Sequence, residues 1–397
     1  MLRTSILRER GQLEAIADEW RELLADCSSP APVSSPTWLL TWWDVFGRLE
    51  HRQLRAVEFR DAGGKLVGLA PLLRRFCLSP SRGLGGRRIE LLASGEPPEQ
   101  EISSDFIGVL ARTHAEPDVA QALAAVLSSG ELGGWDELRF TNMGDDSPFL
   151  RAFEPELQRD GCRVERIQQG ASPFIRLPRT WEQYLQEIGG RRRYFVRRTL
   201  RDIEAWAGKD QLALHEASSR EELRFASGVL ERLHEERWRA AGGCGVFADP
   251  EFRVFHQRIV NEPFPARDGV VQMLWLTAGT KPIAALYNIV FDDKVWFYQM
   301  GRSMSVPSGV RPGIAIHALS IKHAIEHGWR EYDFLGRERF YKLQLATDSR
   351  ARVTLRAVRR GALPLAWEFA RRYGRAAVHA ARRLRKTPIQ QLPDFLD

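Results

Sequence analysis

Two clusters in the second half of the chain have the residue types and spacing for chemistry. The first is Ser308-Gly309-Val310-Arg311-Pro312-Gly313, followed by an apolar stretch from Ile314 to His327. Proline just inside a helix start loses no hydrogen bond, because the first N–H groups of a helix have no partner within it. Those open N–H groups and the helix dipole attract an anion such as phosphate, and Arg311 would add a charge-assisted contact. Gly309, Val310, Arg311, Pro312, Gly313 and Ile314 are therefore candidates for an anion-binding turn; a Pro/Gly-rich connection that only caps a helix is the other reading. The second cluster is His234, Glu235, Arg237 and Trp238, which ends a helical stretch before Gly242-Gly243. A four-residue spacing puts His234 and Trp238 on one face. Glu235 or His234 has the chemistry of a general base toward an amine, and Arg237 that of a holder for an anionic substrate. A solvated charged face anchored by Trp238 is the alternative.

Three further residues bear on chemistry. Asp333 stands in the otherwise apolar run Tyr332 to Leu335, where a carboxylate must be paired or hydrogen-bonded. Lys342 is a candidate partner, as are Arg337 and Arg339. Asp333 and Lys342 either shape a pocket at a strand end or form a salt bridge that fixes the loop after Gly336. Strict alternation along Val295 to Met300 puts Trp296, Tyr298 and Met300 on one face. Tyr298 there is either a proton donor or a core aromatic. The run Arg191-Arg192-Arg193, Arg197-Arg198 and Arg201 is either an electrostatic lane for polyanion phosphates or an exposed charged helix face. The chain has no GxxxxGK[ST], HExxH or GxSxG, and Gly83-Leu84-Gly85-Gly86 is too short for a dinucleotide turn. Kinase, zinc protease, hydrolase and dehydrogenase readings lose ground accordingly.

The periodicities predict the elements that carry these residues. In the first half, Gln12 to Asp26 and Pro36 to Phe46 read as helices, and Leu54 to Phe59 and Leu66 to Leu73 flank the hairpin turn Asp61-Ala62-Gly63-Gly64. Ile89 to Ala93, Asp105 to Leu110, Glu137 to Phe140 and Cys162 to Ile167 read as strands, with helices over Val119 to Leu127 and Pro148 to Arg159. In the second half, Phe174 to Leu177 and Gln211 to His215 read as strands around helices Trp181 to Ile188 and Tyr194 to Trp206. Helices Glu221 to Arg239 and Glu251 to Ile259 precede three strands, Val270 to Leu276, Ile283 to Phe291 and Lys294 to Met300. The helix Ile314 to His327, ended by Gly328, leads to a buried strand over Tyr332 to Leu335, and Val353 to Val358 is the last strand. The segment Val271 to Ala284 repeats the strand, Gly turn, Lys and strand design of Ala56 to Leu69. An internal boundary falls near Gln168-Gln169-Gly170-Ala171.

A chain of 397 residues with 44% hydrophobic residues and 12 tryptophans supports two or three packed domains. Its four cysteines, Cys27, Cys77, Cys162 and Cys244, are scattered without metal-binding or disulfide spacing, which fits a reducing cytoplasm. No signal-peptide pattern and no run of roughly 18 apolar residues is present. The net charge of +7 and pI near 9.4 point to nucleic acid, anionic lipid, a polyanionic cofactor or simply an Arg-rich proteome.

The order Pro-Gly, helix, Gly, Tyr-Asp-Phe, Gly, Tyr-Lys resembles the acetyltransferase-like branch of the GNAT superfamily associated with bacterial cellulose and exopolysaccharide synthesis. That branch is similar to the Fem-type aminoacyl ligases of cell-wall synthesis. The resemblance covers about residues 170–360. It implies an α/β (α+β) fold of tandem GNAT-like domains, each a mixed twisted sheet flanked by helices. These would be an N-terminal domain over 1–169, a C-terminal acyltransferase domain over 170–361 and a basic helical tail over 362–397. It implies acetyl-CoA or another acyl-CoA as co-substrate, with pyrophosphate on the Gly309–Ile314 turn, and no metal. It implies catalytic roles for Tyr298, Glu235 and His234, and substrate contacts from Arg237, Trp238, Asp333 and Lys342. The acceptor would be an amine or hydroxyl on a small molecule, saccharide or peptide, in exopolysaccharide or envelope assembly. DNA is not among the implied partners. The chain would be cytoplasmic, with the amphipathic tail as a means of contact with the inner membrane face. Two rivals stand beside this: an aminoacyl-tRNA-dependent Fem-like ligase, and a non-catalytic partner of a polysaccharide synthase.

Overall fold

The computed structural model describes residues 2–79, 84–97, 100–208, 210–261 and 268–359, so the basic tail expected over 362–397 lies outside the described residues. The chain divides into two compact units. One comprises Met1–Glu96, Ile102–Gln169 and the residues from Ala351; the other is built on Gly170–Arg350 with Pro97–Glu101.

The first unit carries, in chain order, β1 (Arg3–Leu7), α1 (Arg10–Ala15), α2 (Ala17–Ala25), α3 (Pro36–Phe46), β2 (Gln53–Leu54), β3 (Ala56–Arg60), β4 (Leu66–Ala70), β5 (Leu72–Ser79), β6 (Leu84–Leu91), β7 (Leu110–Ala111), α4 (Glu116–Ser129), β8 (Glu137–Gly144) and α5 (Pro148–Arg159). Strands β1-β3-β4-β7 form one antiparallel sheet. The core is aromatic, with Trp20, Trp38, Trp42, Phe46, Phe59, Phe140 and Phe153 fully buried. The helix expected over Gln12 to Asp26 is broken in two at Ile16, whose φ of −101° and ψ of 10° leave the helical region. The strand expected over Asp105 to Leu110 is confined to β7, and the buried Asp105 side chain instead pairs with Arg352.

Strand β9 (Arg163–Arg176) runs unbroken through the segment Gln168 to Ala171 and carries the chain from the first unit into the second. Two strands separated by a linker were expected there. Gly170 sits in it at φ +94°, a conformation only glycine adopts without strain.

The second unit continues with α6 (Trp181–Glu187), α7 (Gly189–Ala207), β10 (Leu212–Glu216), α8 (Arg220–Ala240), α9 (Pro250–Asn261), β11 (Val270–Ala278), β12 (Lys281–Phe291), β13 (Lys294–Arg302), α10 (Pro312–Glu326), β14 (Glu331–Asp333) and α11 (Phe340–Leu345), and β15 (Asp348–Val358) leads back into the first unit. Its sheet runs β10-β11-β12-β13-β14-β9. All neighbours are antiparallel except β13 and β14, which are parallel. A core of Val196 and Ile203 from α7 and Ala315, Ala318 and Ile321 from α10 packs on one sheet face, with Val295, Phe297 and Met300. Helix α8 packs on the opposite face, close enough at Gly301 that a Cβ there would lie 2.7 Å from the Leu230 carbonyl oxygen. Strand β15, expected to close the C-terminal domain, belongs from Ala351 onward to the first unit, where Arg352 to Val358 pair with β8. Among the described residues no helix is long and apolar enough to cross a membrane.

Candidate active site

The parallel pair β13 and β14 has only three registered positions: Lys294 with Glu331, Val295 with Tyr332, and Trp296 with Asp333. Strand β13 then continues to Arg302, whereas the chain after β14 turns away through Leu335 and Gly336, at φ 47° and 62°. Past Trp296 and Asp333 the two strands part. The β13 backbone from Phe297 onward is thus left without a β14 partner.

Asp333 and Lys342 hold the diverging chain in place. Both are buried. Asp333 Oδ1 accepts from the Leu335 N–H at 2.7 Å, and Oδ2 lies 3.5 Å from Arg350 Nε. Lys342 Nζ donates to the Phe334 and Leu335 carbonyls at 3.0 and 2.6 Å. Arg350 thus stands beside the carboxylate, and the Lys342 ammonium caps carbonyls that the end of a strand leaves open. Phe340 to Leu345, expected as loop, forms α11, and Arg192 of α7 pins its end by donating to the Leu343 and Ala346 carbonyls at 3.0 and 2.6 Å.

A bulge shapes the facing stretch of β13. Asn288 of β12 registers with Phe297 and Tyr287 with Gln299, so Tyr298 is an extra residue. An inserted residue reverses the alternation beyond it and re-aims side chains. Val295 and Phe297 before it and Met300 after it all join the α10-side core. Met300 therefore lies opposite Trp296 and Tyr298, against the expectation from strict alternation. Half-buried Tyr298 points to α9, where its hydroxyl sits 3.0 Å from His256 Nε2. Burial pushes the His256 pKa down to about 3, so the ring is neutral at physiological pH.

At the end of α8, Trp238 Nε1–H donates to His234 Nε2 at 3.0 Å, as the shared helix face predicts. The bond occupies the imidazole lone pair and puts the proton on Nδ1. Burial above all, with the Arg237 charge, lowers the His234 pKa to about 4. His234 is thereby a poor base. Glu235 differs: its buried Oε1 has no hydrogen-bond partner and lies 3.9 Å from His234 Nδ1. That spacing is too long for a direct bond and suits a bridging polar group. A Cβ at Gly245 would come within 2.5 Å of both atoms, so only glycine leaves this spot open. Arg237 is exposed and close enough to pull down the pKa of the half-buried Tyr341, whose phenol desolvation raises above its ordinary value.

Helix α10 begins at Pro312, with Arg311 as its N-cap and no side chain capping the start. Gly313 packs tightly on β13: a Cβ would lie 3.3 Å from Met300 Sδ and 3.3 Å from Arg302 Cδ. The Arg311 guanidinium lies over the Phe195 ring of α7, 5.5 Å from its centroid, which keeps a cation beside the helix start. Gly309, at φ +97° with nothing near its would-be Cβ, gives the turn its reversal, and Val310 N–H closes it on the Pro307 carbonyl at 3.1 Å.

His256 is the residue that sequence reasoning missed. Its helical phase with Phe252, Phe255 and Ile259 marks a core position, and nothing in the spacing ties it to Tyr298. His317 is fully buried, bonded through Nδ1 to the Tyr332 hydroxyl at 3.1 Å and stacked on Tyr341.

A mixed sheet whose parallel pair parts beside an uncapped helix start, with helices on both faces, is the arrangement of a GNAT-like fold. Residues 190–343 match the family model of the acetyltransferase (GNAT) domain. Similar solved structures include FemX, with a TM-score of 0.54 at 11% identity over 84% of this chain and 95% of that one. A conserved protein of unknown function from Bacteroides thetaiotaomicron VPI-5482 is similar with a TM-score of 0.54 at 10% identity, over 90% and 100% of the two chains. No curated protein sequence matches the chain at a significant level.

Proposed function

We propose that the second unit transfers an acyl group, acetyl in the simplest case, from acyl-CoA to an amine or hydroxyl acceptor. The observation that carries this reading is the parting of β13 and β14 next to the uncapped start of α10. A thioester arm threads between the strands, its pyrophosphate rests on the N–H groups of the Gly309–Ile314 turn beside Arg311, and its carbonyl meets backbone N–H groups at the bulge. The acceptor nitrogen or oxygen attacks the thioester carbon, and Glu235 takes its proton. The C–S bond breaks, and the thiolate takes the phenolic proton of Tyr298. The His256 Nε2–H steadies the phenolate until the proton on Glu235 returns through water. His234 orients the base, and Arg237, with Trp238, holds the acceptor. Asp333 and Lys342 shape the far wall of the slot through the backbone they fix. The motif resemblance supports a saccharide or peptide acceptor in exopolysaccharide or envelope assembly.

Thermal unfolding with acetyl-CoA, longer acyl-CoAs and free CoA tests this. A ligand at 100 times its Kd adds about 2.7 kcal/mol. We expect a rise in Tm that shrinks in Arg311→Ala and Gly313→Ala. No rise with any of them at millimolar concentration overturns the donor assignment.

The second reading, an aminoacyl-tRNA donor, is favoured by the exposed Arg191, Arg197, Arg198 and Arg201 beside exposed Tyr194 on α7. Tight tRNA binding that weakens steeply with salt would support it.

A further inference from the structure

At the opposite end of α10 from the phosphate turn, three side chains converge. His323 and His327 stand one turn apart at the helix C-terminus, and Glu216 ends β10. One ligand atom from each lies within 4.8 Å of the others. His323 Nε2 is buried and 2.9 Å from Glu216 Oε2, yet it meets no hydrogen-bond geometry. His327 Nδ1 donates to the His323 carbonyl at 2.9 Å, which fixes the tautomer and leaves Nε2 with a lone pair. Gln272 Nε2 donates to Glu216 Oε1 at 2.8 Å, and Asn288 Nδ2 donates in turn to Gln272 Oε1 at 3.0 Å. One carboxylate oxygen is thus held from behind while the other faces the histidines. Outer hydrogen bonds of this kind orient metal ligands.

We propose that Glu216, His323 and His327 bind a divalent transition cation of the Zn2+ type. Two imidazoles and a carboxylate suit borderline cations, and a tetrahedral ion with bonds of about 2.0–2.1 Å holds its ligands roughly 3.3 Å apart. One pair is 2.9 Å apart and all lie within 4.8 Å, so side-chain rotations suffice to reach that spacing. The negative end of the α10 dipole favours a cation at this position. Glu216 and His327 are exposed, so water takes the fourth position. The ion would clip β10, which pairs with β11, to the helix whose other end carries the phosphate turn. This site is independent of the acyl-transfer reading.

The full chain titrated with Zn2+ and with Co2+ tests the proposal through Tm, Co2+ visible absorption and tryptophan fluorescence. The Trp329 ring stacks on His327 at 5.0 Å and reports locally. We expect one cation per chain, a Tm rise of roughly 5 °C at 100 times Kd, and a Co2+ spectrum without thiolate absorption. His327→Gln and Glu216→Gln, both at exposed positions, should fold normally by circular dichroism and bind at least tenfold more weakly. Three results would each overturn the proposal: no binding at millimolar cation, binding unchanged in both variants, or a thiolate band that marks a cysteine site.

Discussion

At the residue scale, the account turns on Tyr298 and His256. A bulge aims the phenol at α9, and a neutral imidazole meets it there. In the proposed reaction Tyr298→Phe keeps the ring and loses the proton, so kcat should fall about 100-fold with KM nearly unchanged. Steady-state kinetics of both constants decide this; equal loss in KM alone would make Tyr298 a binding residue. His256→Gln retains a donor at a similar distance and should cost less than Tyr298→Phe. In the proposed reaction Glu235 serves as base in place of His234 because the indole N–H occupies the histidine lone pair, while the carboxylate Oε1 has no hydrogen-bond partner.

At the element scale, close packing positions these groups. Helix α8 lies so near β13 that Gly301 has backbone on its open side, with Leu230 O at 2.7 Å and His234 N at 3.0 Å from a would-be Cβ. Gly301→Val must push α8 away and should destabilise the protein by about 1–3 kcal/mol, read by urea unfolding. In the first unit, Glu137 is buried and bonded by Arg356 at 2.7 Å and by Arg88 at 3.0 Å. Glu137→Ala would take one carboxylate from a buried network in which Arg88 also holds Glu90 and Arg356 also reaches Glu165, and should cost about 3 kcal/mol. Period and punctuation made much of this framework legible. The α10 helix announced itself by Pro312, its apolar face and Gly328, and β11 to β13 by their apolar runs. The bulge was invisible, because an extra residue leaves no mark in composition and shows only against the partner strand. The β15–β8 pairing and the His256–Tyr298 contact are likewise long-range, and no local period encodes them. The Glu216, His323 and His327 trio is hidden for another reason: two histidines four apart at the end of an apolar helix also suit packing or capping, and only the fold brings the distant Glu216 to them.

At the scale of the whole molecule, three buried neutral histidines set the response to acid. His256 and His317 are pushed down to about 3 and His234 to about 4, all mainly by burial. The unfolded chain takes up these protons near pH 6.5 while the folded one does not, so the unfolded state binds more protons between those values. Stability is therefore full above about pH 6.5 and falls as pH drops toward 4, by up to about 1.4 kcal/mol per pH unit for each histidine. Denaturant midpoints at a series of pH values check the sign; a midpoint that rises on acidification would contradict it. The central claim, that acyl-CoA lies between β13 and β14 with its phosphates on the α10 start, is tested most directly by amide hydrogen exchange with and without acetyl-CoA. The account predicts protection in two separate stretches, Phe297 to Met300 and Val310 to Ala315. Binding that protects neither stretch, or no binding at all, would contradict it.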